Sequence, residues 1–128
     1  MFQFDADNSL VDEGVWKEFR GSEFLIAHIS NMRFQRALSR GQQPHRKKLE
    51  NGTLDPKINK EIICKAMSEG ILLDWRKVVD KNKQETPYTV AAGLVALTKD
   101  TEFREFVSEF SMELNNFRKE ELEDLGNG

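Results

Sequence analysis

The chain has 128 residues, 38% of them hydrophobic and 32% charged, with a net charge of −3. That suffices for one domain with a core and a heavily charged surface, and is too little for two. No apolar run approaches the roughly 18 residues that span a bilayer, and the single cysteine, Cys64, leaves no internal disulfide and suits a reducing cytoplasm.

In chain order, the acidic opening MFQFDADNSL reads against a secretory signal, and residues 1–13, without periodicity, are expected to be mobile. From Val15 to Ile29 apolar residues alternate on either side of Arg20-Gly21-Ser22, the pattern of a β-hairpin. Asn31 is placed to cap a helix carrying Phe34 and Leu38 one turn apart. Gly41, Pro44 and Asn51-Gly52 then mark a stretch that is partly loop. Asp55-Pro56 restarts the chain as N-cap and first helical residue. Ile58, Ile62, Ile63, Ala66 and Met67 form the next apolar stripe, and the same period runs on past Gly70, so this helix is expected to reach about Leu73. After the polar run VVDKNKQET, Thr89 caps VAAGLVALTK, and Asp100 or Thr101 caps a last helix with Phe103, Phe106, Val107, Phe110, Leu114 and Phe117 on one side. The expected fold is a mainly α, single compact helical domain over 14–118, with a short N-terminal β-hairpin and a flexible polar tail over 119–128.

Charge is segregated. Between Phe24 and Leu49 there is no acid, while Arg33, Arg36, Arg40, Arg46, Lys47 and Lys48 are all basic; from Glu102 to Asp124 eight acids face three bases. Such runs are solvated helix faces or surfaces of opposite sign that meet partners, including a second copy. A small nucleic-acid-binding protein using the basic 33–48 segment is the alternative reading, weakened by the scarcity of aromatics there and by the acidity of the chain as a whole.

The inventory for catalysis is thin. His28 and His45 stand in no metal-ligand pattern, Cys64 lies on the apolar side of a helix, and no nucleophile elbow, phosphate loop or dinucleotide fingerprint occurs. Glu105, Glu109 and Glu113 sit one turn apart, a spacing typical of a solvated face. No enzymatic activity, cofactor or metal is expected.

The order of features is more informative. GVWKEFRGSEFLIAHISNMRFQRAL is followed by a helix, LLDWRKVVD, a polar segment, PYT, a helix and a Phe-rich helix. The arrangement, over roughly residues 14 to 118, resembles the tail assembly chaperones of long-tailed, lambda-like bacteriophages. Trp16, Gly21, Glu23, Ala27, Asn31, Phe34, Asp74, Trp75, Pro87, Tyr88 and Thr89 carry it. The family's tight Asp-Gly turn is absent, since DKNKQET holds no glycine.

The resemblance implies a late protein of the host cell cytoplasm, absent from the mature virion. It would bind the tape measure protein, keep it soluble and promote polymerisation of the major tail protein around it. The latter contact would be made mainly through a longer form produced by ribosomal frameshifting. Candidate partner-binding residues are Arg36, Arg40, Arg46, Lys47 and Lys48, with Leu114 and Phe117 at the end of the apolar stripe. These last two either close the core with the rest or stay partly exposed to a client helix. Trp16, Trp75 and Tyr88 are expected to be structural anchors. Self-association through the basic segment and the acidic final helix is also expected.

Overall fold

The structure, a computed structural model, describes Phe2 and residues 8–119. Among these, α1 (Ser9–Glu13) leads into β1 (Val15–Phe19) and β2 (Ser22–Ile26), followed by α2 (Met32–Gln42). A 3-10 turn (Gln43–His45) joins α2 to α3 (Arg46–Glu50), and α4 (Pro56–Gly70) runs into β3 (Leu72–Arg76). Helices α5 (Val90–Lys99) and α6 (Thr101–Met112) come next, and a 3-10 turn at Leu114–Phe117 closes the described fold. No helix among them is long and apolar enough to cross a membrane. The expected tail lies outside the described residues apart from Lys119, as does most of the segment before residue 8.

The chain is therefore a mixed α/β domain, rich in helix, and not the mainly α bundle with a lone hairpin that periodicity implies. The hairpin forms as expected: Arg20 and Gly21 both take positive φ, 53° and 84°, the two-residue turn whose twist matches its strands. It does not stand alone. β3 pairs antiparallel with β2, matching Phe24 to Trp75 and Leu25 to Asp74, and gives a sheet ordered β1-β2-β3. The helix expected to reach Leu73 stops at Gly70 because the next residues satisfy the free edge of β2, beginning with the amide of Ala27 donating to the carbonyl of Ile71 at 2.8 Å. A continued helix would leave that edge unpaired over a buried face.

The helix starts follow local chemistry. Asn31, Asp55, Thr89 and Asp100 each accept from a backbone amide in the first turn of α2, α4, α5 and α6. Asn31, itself buried, also donates to the carbonyl of Gly70 at 2.8 Å, tying the start of α2 to the end of α4. These two helices touch backbone to backbone there. A Cβ built on Gly70 would lie 2.3 Å from the nitrogen of Phe34. The core packs between the sheet and the helices: Phe24, Ile26, Phe34, Met67, Leu72, Trp75, Leu97, Phe103 and Val107 are all buried. Aromatic rings join the layers, with Phe24 4.8 Å from Phe103 and Phe19 stacked on Phe106 at 4.5 Å between centroids.

The stretch after α2 is partly loop, as its breakers suggest: the 3-10 turn and α3 run to Glu50, and residues 51–55 lie in no helix. One further expectation changes. The last apolar stripe is interrupted: α6 ends at Met112, and Phe117 reaches the core from the separate 3-10 turn.

Candidate interaction surfaces

Trp75 and Tyr88 bracket a polar loop and pack against each other, edge to face, with centroids 4.9 Å apart. The Trp75 indole N–H donates to the carbonyl of Thr86 at 2.7 Å. The Tyr88 hydroxyl lies against the carbonyls of Ser68 and Leu72, 2.7 Å from the latter, one proton shared between two acceptors. Burial, with the carboxylate of Asp74 nearby, pushes the Tyr88 phenol well above its ordinary range, so it stays a donor. Both residues hold the ends of the loop, Trp75 from a strand and not a helix end.

Between the anchors the chain makes a small hairpin. Val79 pairs with Glu85, and the Asp80 carboxylate accepts from the amides of Asn82 and Gln84 at 2.8 and 3.0 Å. Lys83 adopts the left-handed conformation, φ 61°, that a glycine would take more cheaply. Trp16, the third anchor, lies half-buried outside the main core, with the Arg76 guanidinium 3.5 Å over its ring; Arg76 in turn pairs with Glu23.

At the root of this hairpin is an apolar recess of about 240 Å³. Phe19 and Phe24 of the sheet, Trp75, Val79, Ala96 of α5 and Phe103 of α6 form its walls. Arg20 and Asp100 pair at 2.9 Å on its rim, and Arg20 also bonds Glu102. The Glu102 bond raises the Arg20 pKa, while the amide of Phe103, together with Arg20, holds the Asp100 carboxyl below its ordinary value. Val79 is 56% exposed, and α5 leaves Val90 and Val95 at 46% and 53%. These three valines are absent from the candidates drawn from sequence. For Val90 and Val95 the available signal was VAAGLVALTK itself, too uniformly apolar to reveal which face is covered.

The sequence candidates fall on several surfaces. Arg36 and Arg40 project from α2 into solvent, Arg40 reaching Glu69 at 3.5 Å; Arg46, Lys47 and Lys48 are exposed on α3. Leu114 is 46% exposed, whereas Phe117 is only 3% exposed, wedged between His28 (5.2 Å) and Phe110 (5.7 Å). Phe117 is therefore core, and of the two alternatives for it the buried one holds. The last turn folds back so that Phe117 fills the space beside the end of β2.

A second depression, about 640 Å³, runs between α4 and α6. Cys64 and Met67 lie at its base, Ile63 and Met112 at its sides, and Glu105 and Glu109 on the α6 wall. Cys64 is fully buried, its thiol directed at the carbonyl of Leu97. His28 is half-buried, its Nδ1 2.7 Å from the Ser30 hydroxyl, and burial lowers its pKa. His45 closes the 3-10 turn beyond α2. Among the described residues no group of three His, Cys, Asp or Glu side chains is arranged to hold a metal ion.

Neither a curated protein nor a solved structure matches this chain. A family model does, described as YdaY prophage protein, over residues 29–127. That match covers well over half of the sequence and includes α2, the α4–β3 unit, the Trp75–Tyr88 loop and both final helices. The chain belongs to the YdaY prophage protein family and is phage-derived.

Proposed function

We propose that this protein is a non-enzymatic tail assembly chaperone of the host cytoplasm. It binds apolar helices of a tape measure protein, keeps that long protein soluble, and promotes polymerisation of the major tail protein around it. A longer frameshifted form would make the main contact with the tail-tube subunit. Phage origin and the ordered set of resembling motifs support this reading. The observation that carries it is the apolar recess, which Trp75, one of the residues that bear the resemblance, lines together with Phe19, Phe24, Val79, Ala96 and Phe103.

The recess opens to solvent beside Val79, and α5 supplies further exposed apolar side chains at Val90 and Val95. An amphipathic helix can seat one large apolar side chain in the recess and lay its neighbours along such a surface. The charged rim of Arg20 and Asp100 keeps the unbound site soluble. Nothing in this arrangement calls for a reacting group; it is a holding surface.

Co-expression with a tape measure protein from a long-tailed phage tests the reading. The wild-type chain should keep the client in the soluble fraction and co-purify with it. Val79→Asp with Val95→Asp, both at exposed positions, should leave thermal unfolding unchanged and reduce capture at least about tenfold, since each would bury a charge in the contact. A client that remains insoluble with the wild-type chain would remove the chaperone reading. Undiminished capture by the double variant would remove the recess as its site.

A further inference from the structure

The solvent faces of α2 and α6 carry charges of opposite sign at matched spacing. On α2, Arg33, Arg36 and Arg40 stand at i, i+3, i+7; on α6, Glu102, Glu105 and Glu109 do the same, and Arg33, Arg36, Arg40, Glu102, Glu105 and Glu109 mark the two stripes. At about 100° and 1.5 Å per residue, each trio falls within an arc of about 60° and extends about 10 Å along its helix. Within the chain these groups are unevenly occupied. Arg33 bonds the carbonyl of Asp12, and Glu102 bonds Arg20. Arg40 makes only a 3.5 Å contact to Glu69 with its own side chain 72% exposed. Arg36, Glu105 and Glu109 have no ion pair among the described residues. The least committed members are thus two arginines one turn apart and two glutamates one turn apart.

Apolar surface accompanies both stripes. Met32, 58% exposed, lies one turn before Arg36 on the solvent side of α2. Glu105 and Glu109 stand on the wall of the α4–α6 cleft, which Ile63 and Met112 leave partly open at 36% and 53% exposure; Lys60 and Arg104 also line it, the Arg104 guanidinium turned to the carbonyls of Leu97 and Thr98. One helix offers arginines and a methionine, and the other offers glutamates beside a cleft with an apolar base.

We propose that copies of this chain associate head to tail, with α2 of one copy lying over the mouth of the α4–α6 cleft of the next. Arg36 and Arg40 meet Glu105 and Glu109, and Met32 enters the cleft. The two patches are different surfaces, so in each contact one copy keeps its cleft free and the other keeps its α2 face free, and the assembly closes as a ring or continues as a filament. The contact stands independently of the proposed function, because it needs only this chain.

Sedimentation velocity of the full chain tests it without any client. At low salt and high concentration the mean mass should exceed that of the monomer at least about twofold, and it should fall toward the monomer as salt rises. Arg36→Glu with Arg40→Glu makes both patches acidic; Glu105→Arg with Glu109→Arg makes both basic. Each double variant should be monomeric at low salt while retaining the wild-type circular dichroism spectrum. Mixing the two should restore association, because each supplies the charge that the other lacks. A monomeric wild-type chain at low salt would overturn the proposal. So would association of the separate reversal variants at the wild-type level, or failure of two folded variants to recover it when mixed.

Discussion

Replacing Gly70 by Ala should destabilise this protein even though the same change in an ordinary helix stabilises it. Helix propensity alone favours Ala by up to about 1 kcal/mol. Here the added Cβ would stand 2.3 Å from the nitrogen and 2.5 Å from the Cα of Phe34, and 2.9 Å from the carbonyl carbon of Arg33. All three are backbone atoms of α2, so no side-chain rotation relieves the contact. Reaching ordinary separation requires α2 and α4 to part by about 1 Å, and overpacking of this kind costs about 1–3 kcal/mol. The same displacement stretches the bond from the Asn31 side chain to the carbonyl of Gly70, now 2.8 Å, and leaves a buried polar group poorly satisfied, for about 1–3 kcal/mol more. The net loss should be about 3 kcal/mol, a fall in Tm of roughly 10 °C for a domain of this size. Circular dichroism melts and urea titrations would measure it. Gly41→Ala provides the contrast, because its Cβ would meet only the Ile62 side chain, at 2.8 Å, which can rotate away. A Gly70→Ala variant as stable as wild type or more so would refute the close approach of α2 and α4.

Two further outcomes are expected. Burial depresses the folded-state pKa of His28 below its ordinary 6.5, so the unfolded chain binds the proton more readily. His28 then contributes no loss above about pH 6.5; stability falls as pH drops through that value and levels off below the folded pKa. Stability measured from pH 7.5 down to 5 should decline less in His28→Gln than in wild type, and equal slopes would exclude the effect. Phe117→Ala should cost about 3–5 kcal/mol, the value for a buried Phe, whereas Leu114→Ala, at an exposed position, should change urea stability by no more than about 0.5 kcal/mol; equal losses would contradict the different burial of the two residues.

Charge segregation was readable as composition, but its meaning required the fold. Counting bases between residues 33 and 48 did not reveal that Arg36 and Arg40 share the solvent face of a helix while Arg33 is turned to the carbonyl of Asp12. The recess was hidden for a similar reason. Phe19, Trp75, Ala96 and Phe103 lie far apart in the chain and each reads as an ordinary core residue until the sheet and helices bring them together. The exposure of Val79 and Val95 depends on what the rest of the chain fails to cover, which no local window contains.

The sequence by itself determined whatever depends on a few adjacent residues. The helix starts at Asn31, Asp55, Thr89 and Asp100 arise from side chains that reach amides two or three positions ahead. The hairpin comes from alternation around Arg20-Gly21, and the anchoring of the polar loop from an indole and a phenol that need partners when buried. Only the tertiary structure decided where α4 stops and that a strand succeeds it. ILLDW continues the helical period of α4, yet the open edge of β2, more than forty residues earlier, draws it into a strand. The tertiary structure also decided that Phe117 turns inward, since the covering surfaces come from His28 and Phe110 on other elements. Periodicity records which residues seek burial, whereas pairing partners and covering surfaces come from parts of the chain that meet only on folding.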